Sequence, residues 1–152
     1  MSTLVIAAHP DDEVLGCGGS ISKLASQNVD VSVAILGQGI ASRLEDSKTT
    51  PQEQIDSLHQ KSKDVAHFLG VKDLFMFNLP DNRFDSMALL DIIKPIEQLV
   101  EKIKPDTIFT HHFGDLNIDH QLTHRAVITA TRPMADCPVK TILTFEVPSS
   151  TE

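Results

Sequence analysis

LVIAAHPDDEVLGCGGSISKLASQ, residues 4–27, joins a buried strand directly to a helix and thereby indicates how the whole chain is built. Leu4–Ala8 is a short apolar run of the buried-strand type, and Pro10 keeps His9 out of the helical region. His9 is therefore expected at the carboxyl end of the first strand. The acidic residues Asp11–Glu13 then open a helix that is predicted to run to about Gln27. Its predicted inner face consists of Val14, Ile21, Leu24 and Ala25.

The same strand-then-helix pattern recurs along the rest of the chain. Further strands are predicted at Val29–Leu36, Leu74–Phe77, Thr107–Thr110 and Thr141–Val147, and further helices at 51–69, 88–103 and 119–131. Regular alternation of this kind is typical of a mostly parallel sheet that helices cover on both faces. The predicted fold class is therefore α/β, with a single domain over residues 1–152.

The composition of the 152 residues is that of an ordinary globular domain. Apolar residues make up 41% and charged residues 22%, which excludes a disordered or fibrous chain. The net charge of −8 argues against nucleic acid or an anionic membrane as partner. No apolar run approaches the length of a membrane span, and the N-terminus lacks the basic region of a secretory signal. A cytoplasmic location is therefore predicted, and two distant cysteines, Cys17 and Cys137, imply no disulfide framework.

Polar clusters follow four of the predicted strands. They are His9–Glu13, Arg43 with Glu45, Asp81–Arg83 and His111–His120. In open α/β sheets, ligands bind outside the carboxyl ends of the strands, which is where all four clusters fall. The sequence therefore predicts a functional cleft at that edge of the sheet.

His9 and Asp12 stand three residues apart across the first strand-to-helix turn. At this spacing an imidazole and a carboxylate could both reach one metal ion. The alternative is that the acidic residues only stabilise the N-terminus of a helix, which leaves a histidine before a proline unexplained. Asp11 would point elsewhere, beside the metal, where a general base belongs.

The segment His111–His120 holds three histidines and two aspartates, more than a helix cap needs. Its alternative interpretation is a polar loop in which Asn117 or Asp119 caps the next helix. A third ligand from this segment would complete a His/Asp/His set with an open position, the pattern of catalytic zinc sites. Asp119 could orient a ligand imidazole from outside the coordination sphere.

These stretches resemble the motifs of the PIG-L/LmbE-like family of zinc-dependent de-N-acetylases. The pattern A-H-P-D-D-E-x-L-G-x-G-G is present without gaps as Ala8–Gly19, and H-x-x-D-x-N-x-D-H is met by His112–His120. Leu79–Asp85 (LPDNRFD) also looks like one branch of the family. The resemblance implies a Rossmann-like three-layer α/β sandwich. It further implies that His9, Asp12 and His120 are the zinc ligands. By the same resemblance, Asp11 is the general base and Asp119 supports the metal.

Asn117 stands where other branches of the family carry a histidine that is thought to stabilise the oxyanion or protonate the leaving amine. His111, His112 or His124 could take that role here, or the role has no counterpart in this chain. His112 is the catalytic histidine that we expect.

Arg43 and Arg83 are loop arginines beside the predicted cleft, and the alternative for Arg43 is a solvated surface charge. Arg83 and Asn82 fall within the family-like motif. The residues that we expect to hold a polar, sugar-like substrate are Arg43, Asn82, Arg83 and Asn117.

The resemblance implies hydrolysis of the acetamide of an N-acetylated amino sugar or its conjugate, with zinc as the cofactor. Another divalent ion such as Fe²⁺ also suits two imidazoles and a carboxylate. The alternative is a non-catalytic or differently specific metal-binding module, for example another amide or ester hydrolase. Family members usually continue past the last predicted strand, so the chain is expected to lack the C-terminal part of the family fold. The composition leaves a homo-oligomer open.

Overall fold

The computed structural model describes residues 2–39 and 52–148, which form alternating strands and helices. The strands are β1 (Ser2–Ala7), β2 (Asp30–Gly37), β3 (Asp73–Leu79), β4 (Thr107–His111) and β5 (Thr141–Phe145). The helices are α1 (Asp12–Ser26), α2 (Gln52–Leu69), α3 (Leu89–Ile103) and α4 (Ile118–Ala130), with a short 3₁₀ helix at Phe84–Ser86. None of these described helices combines the length and the apolarity that crossing a lipid bilayer requires.

The five strands form one parallel sheet in the order β3-β2-β1-β4-β5. Val5 of β1 lies opposite Val33 of β2 on one side and Phe109 of β4 on the other. The chain builds outward from β1 to β3 and then returns to the other side of β1 for β4 and β5. The strand order therefore reverses between β1 and β4, and open α/β sheets bind ligands outside the carboxyl ends of the strands at such a point.

Two apolar clusters, one on each face of the sheet, hold the helices in place. Side chains alternate along a strand, so β1 sends Leu4 and Ile6 to the face that α3 and α4 cover and Val5 to the opposite face, which α1 and α2 cover. All three side chains are fully buried. The predicted α/β fold, with three layers and a parallel sheet, is confirmed.

The predicted borders of the strands and helices agree with the structure to within two residues, but one predicted packing contact is wrong. Val14 was expected on the inner face of α1 together with Ile21, and it is 37% exposed. The cause is an irregular turn at Cys17, where φ is −147° and ψ is 18°. This turn changes the rotational phase between the start of α1 and the rest of the helix.

Candidate metal centre

The turn between β1 and α1 brings His9 and Asp12 together. The backbone N–H of His9 donates to Oδ2 of Asp12 over 2.8 Å, and Nδ1 of His9 lies 3.5 Å from the same oxygen. Both residues are buried. The turn therefore places an imidazole beside a carboxylate, as the spacing in the sequence predicted.

His120 reaches the same carboxylate from the first turn of α4. Its Nε2 lies 3.2 Å from Oδ2 of Asp12, yet this buried nitrogen has no hydrogen-bond partner among the described residues. Asn117 caps the helix, since its Oδ1 accepts from the backbone N–H groups of Asp119 and His120 over 2.8 and 3.4 Å. The cap fixes the first turn of α4 and with it the direction of the His120 side chain.

Each of the two imidazoles contacts a further buried carboxylate through the ring nitrogen that does not face Asp12. Oδ2 of Asp119 lies 2.9 Å from Nε2 of His9, and Oδ1 of Asp119 accepts the backbone N–H of Phe84 over 3.0 Å. Oδ2 of Asp115 lies 2.9 Å from Nδ1 of His120. Asp119 thus supports the imidazole of the distant His9 and not that of its neighbour His120. Each imidazole keeps its other ring nitrogen for the space beside Asp12.

Asp115 is a site residue that the sequence analysis did not single out. It is 2% exposed, and its Oδ1 also accepts the backbone N–H of Asn117 over 2.9 Å. The feature of the sequence that could have identified Asp115 is its position within the histidine-rich segment His111–His120. Spacing alone does not tell which aspartate of that segment faces which histidine.

The charges around Asp12 favour an ionised carboxylate and attract protons to the imidazoles. Burial disfavours the charge of Asp12, but the imidazoles of His120 and His9 outweigh it and hold the pKa of Asp12 well below its usual range. Burial also disfavours protonated His9, yet its contacts with Asp119 and Asp12 raise the pKa of His9 to about 10. Asp12 and Asp115 likewise raise the pKa of His120 against the effect of burial. Buried negative charge that attracts protons this strongly also attracts a metal cation.

His111, at the end of β4, is completely buried but plays a different part from the other two histidines. Its Nε2 accepts the backbone N–H of Ala8 over 2.9 Å, which places the proton of the neutral ring on Nδ1. Burial lowers the pKa of His111 to about 3, and the attraction of Asp12 opposes this only in part. The ring stacks on His120 with centroids 3.9 Å apart and planes inclined by 21°. His111 therefore supports His120 by packing.

Three sets of side chains in the described residues place possible ligand atoms within 4.8 Å of one another, namely His9/Asp12/His120, His111/Asp115/His120 and His9/Asp81/Asp119. In the second set, Nε2 of His111 is committed to a backbone N–H, and its ring lies nearly parallel to that of His120, so the ring lone pairs do not converge. In the third set, both carboxylates contact the same Nε2 of His9. In the first set, Nδ1 of His9 and Nε2 of His120 both lie beside the carboxylate of Asp12. A cation bound there would give Nε2 of His120 the partner that it lacks among the described residues.

Asp11 lies next to this set but on the exposed side of the turn. Its backbone is left-handed, with φ 98° and ψ −27°, and although it occupies the N-cap of α1 it makes no side-chain capping hydrogen bond. Its N–H donates instead to Oε2 of Glu13 over 3.1 Å. Burial, helped by the charge of Asp12, raises the pKa of Glu13 to about 7. The two consecutive aspartates therefore face opposite ways, Asp12 inward and Asp11 outward.

His112 follows β4 and is half-buried beside the metal centre. Its Nδ1 accepts the backbone N–H of Gly114 over 3.1 Å, and together with Asp115 and Glu146 it lines a cavity of about 300 Å³. In the neutral ring the proton therefore sits on Nε2, which can act as a donor.

The loop after β3 comes to the same edge of the sheet. Oδ1 of Asp81 lies 3.2 Å from Nε2 of His9, and Oδ1 of Asn82 accepts from Nδ2 of Asn117 over 3.2 Å. Arg83 follows in the chain and is exposed. The structure thus brings two of the four predicted substrate residues into contact, whereas Arg43 lies outside the described residues.

Fold and site together define an α/β protein with a His/Asp/His candidate metal centre at the reversal point of a parallel sheet. The chain belongs to the PIG-L family, described as GlcNAc-PI de-N-acetylase, whose model matches residues 4–131. The family expected from the sequence motifs is therefore confirmed.

Relatives and solved structures agree with this assignment. "Uncharacterized deacetylase YaiS" of Escherichia coli (strain K12) is 27% identical over 97% of this chain and 74% of its own length. A "Probable N-acetyl-alpha-D-glucosaminyl L-malate deacetylase 2" of Bacillus cereus is 30% identical over 86% of this chain and 61% of its own length. The structure of N,N'-diacetylchitobiose deacetylase from Pyrococcus horikoshii, complexed with its inhibitor MPG, matches with a TM-score of 0.75 and 26% identity, over 86% of this chain and 49% of that one.

These three proteins are all named deacetylases, and with the family match they support the predicted enzyme class, that of N-deacetylase hydrolases. The chain spans between about half and three quarters of the length of the three proteins.

Proposed function

We propose that the chain carries the metal centre of a hydrolase that removes the acetyl group from an N-acetylated amino sugar or its conjugate. The observation that carries the proposal is that ligand atoms of His9, Asp12 and His120 lie close together. In the described part of the chain, the buried Nε2 of His120 has no hydrogen-bond partner there. The family match and the two relatives whose names include an N-acetylated or diacetylated sugar support the substrate class.

His9, Asp12 and His120 would hold the cation, and zinc is the metal that their chemistry favours. Two imidazoles and one carboxylate form a three-ligand set with an open fourth position, as in catalytic zinc sites. Ferrous iron accepts the same ligand types, so Fe²⁺ is the second choice. When bound, such a cation supplies Lewis-acid chemistry, lowering the pKa of water and polarising a carbonyl.

Asp11 is the general base of this proposal. Its carboxylate belongs to an exposed residue beside the ligand set, whereas Asp12 is turned inward. In the reaction, water adds to the acetyl carbon while Asp11 takes one of its protons. Asp11 then passes that proton to the amide nitrogen, and the C–N bond breaks to give acetate and a free amine. Asp119 and Asp115 keep the ligand imidazoles in place, and Asp119 is the one of the two that the sequence predicted to support the metal.

His112 is the hydrogen-bond donor that we assign to the oxyanion, and Asp11, once protonated, is the group that returns a proton to the departing amine. The Gly114 N–H occupies its Nδ1, so a neutral His112 presents an N–H at Nε2 beside the cavity that it lines. Asn117, which stands where other family branches have a histidine, has its amide oxygen committed to capping α4. This commitment favours His112 over Asn117 as the hydrogen-bond donor to the oxyanion.

The substrate-binding residues of the proposal are loop residues at the carboxyl edge of the sheet. Asn82 and Asn117 hydrogen-bond each other there, and Arg83 follows Asn82. Arg83 and Arg43 would supply cationic donors for the hydroxyl groups or the acidic portion of a glycoconjugate. A cytoplasmic location and a possible homo-oligomer stay predictions of the sequence.

Acetate release tests the proposed function. The zinc-loaded protein is expected to liberate acetate from N-acetylglucosamine conjugates, and Asp11→Asn should lower kcat by about 10²- to 10⁴-fold because it removes the general base. Asp91→Asn, in the exposed first turn of α3, is the matched control and should leave kcat unchanged.

Two outcomes would contradict the proposal in different ways. Faster hydrolysis of other acylated amines or of esters would indicate a differently specific hydrolase. Metal bound at His9 and His120 with no release of acetate from any acetylated amino sugar would indicate a non-catalytic binding module.

A further inference from the structure

The turn that carries Asp11 has a backbone conformation that non-glycine residues rarely adopt. Asp11 has φ 98° and ψ −27°. Strain of this kind persists only where neighbouring groups hold it, and it is frequent at active sites, where it fixes the direction of a side chain. The molecule must therefore contain a group that holds Asp11 in this turn.

Glu13 is placed to be that group. It is 5% exposed, and its Oε2 accepts the backbone N–H of Asp11 over 3.1 Å. Its own carbonyl oxygen accepts from the thiol of Cys17 over 3.4 Å, one turn further along α1. Glu13 is the second residue of α1 and reaches back to the N-cap N–H from one position earlier than the glutamate of a capping box does. Among the described residues, the Asp11 side chain accepts no capping hydrogen bond from the N–H groups of the first turn of α1.

The lack of a side-chain cap at Asp11 is unexpected, because aspartate is among the residues that favour N-cap positions most. An Asp11 in the ordinary extended N-cap conformation would turn its carboxylate onto the N–H groups of α1. In the left-handed conformation Asp11 is exposed and does not cap α1. Glu13 holds the backbone of this turn through the N–H of Asp11.

We propose that Glu13 is a positioning residue that holds Asp11 in the left-handed turn and so keeps the Asp11 carboxylate directed at the substrate. The inference rests on the proposed function, in which Asp11 is the general base. Without an acceptor at position 13, Asp11 relaxes toward the ordinary N-cap conformation and its carboxylate turns onto α1.

Two substitutions of Glu13 separate positioning from a merely structural role. Glu13→Ala is expected to lower kcat for acetate release by about 10- to 100-fold, since small displacements of a reacting group cost this much, while KM and bound zinc stay the same. Glu13→Gln keeps a side-chain oxygen that can accept the N–H and should restore kcat to within about threefold of the wild type. Asp91→Ala removes an acidic residue from the first turn of α3 and should leave kcat unchanged. A Glu13→Gln variant as impaired as Glu13→Ala would overturn the inference.

A double variant tests whether Glu13 acts through Asp11. In the Asp11→Asn background the base is already lost, so adding Glu13→Ala should lower kcat no further. Losses that multiply would mean that Glu13 affects the reaction by another route, which would overturn the inference.

Crystal structures of the two Glu13 variants provide a readout that needs no activity. Asp11 is expected to leave the region of positive φ in Glu13→Ala and to remain there in Glu13→Gln. A left-handed Asp11 that persists in Glu13→Ala would overturn the positioning role. If the wild-type protein releases no acetate, the proposed function fails, and these structures still decide whether Glu13 holds the turn.

Discussion

At the scale of single residues, the candidate metal centre depends on which carboxylate contacts which imidazole. Asp119 adjoins His120 in sequence but contacts Nε2 of His9, and Asp115 takes the outer nitrogen of His120. Each ligand imidazole is thereby held in one orientation by a buried acceptor, as the ligand histidines of metal sites usually are.

Removing either carboxylate should weaken metal binding without removing a ligand. Asp115→Asn and Asp119→Asn are each expected to lower zinc affinity by about 10- to 100-fold, because the imidazole loses its charged acceptor. Competition with a chromophoric chelator measures this affinity. Asp136→Asn, an exposed change in the loop before β5, is the control. An unchanged affinity in Asp115→Asn would show that His120 is not the ligand that Asp115 orients.

At the scale of the elements, helix α1 packs unusually close to strand β5. Cβ of any larger residue at position 16 would overlap the ring of Phe145, which is 7% exposed and also packs against His111 with centroids 4.8 Å apart. A Cβ on Gly19, one turn later, would meet nothing within 4 Å. Close packing against Phe145 therefore requires glycine at position 16, whereas the surroundings of Gly19 leave room for a side chain.

These two glycines predict opposite effects of the same substitution. Gly16→Ala should lower the free energy of unfolding by about 1–3 kcal/mol, the usual cost of overpacking. Gly19→Ala should raise it by up to about 1 kcal/mol, because alanine has the higher helix propensity. Urea unfolding followed by circular dichroism measures both. Adding Phe145→Leu should recover part of the Gly16→Ala loss, and equal losses in both alanine variants would contradict this account.

At the scale of the whole molecule, the metal centre joins two halves of the sheet. His9 and Asp12 follow β1, while His120 belongs to α4 after β4, and the carboxylates between them are buried. Without a cation the site holds several ionisable groups with little contact to water. A ligand that binds only the folded chain adds its binding free energy to the stability of the fold.

Zinc should therefore stabilise the protein against heat. At a free zinc concentration about 100 times Kd, the free energy of unfolding is expected to rise by about 2.7 kcal/mol, reduced by any affinity of the unfolded chain for the metal. For a protein of this size that is a rise of roughly 5–10 °C in Tm. Calorimetry with and without a chelator measures the change. His120→Ala should abolish the shift, and an undiminished shift in that variant would place the metal elsewhere.

Local sequence was sufficient to predict the strands, the helices and their order, because apolar alternation, proline and capping residues act over a few positions. Pro10 after His9 and Gly70 after α2 lie at the predicted ends of their elements, and Gly70 has the positive φ expected there. The parallel topology also followed, since alternating strands and helices leave few other arrangements. The edge of the sheet that carries the polar clusters was predictable for the same reason.

Only the tertiary structure decided which side chains of those clusters pair. Asp119 contacts His9, which follows a different strand from its own. Nε2 of His111 accepts the backbone N–H of Ala8 and so is not available to a metal. The irregular turn at Cys17 leaves Val14 exposed. These outcomes depend on distances between segments that are remote in the chain and on the competition of several buried acceptors for a few protons. Spacing along the sequence determines neither these distances nor which acceptor binds which proton. Both are determined once the core is packed.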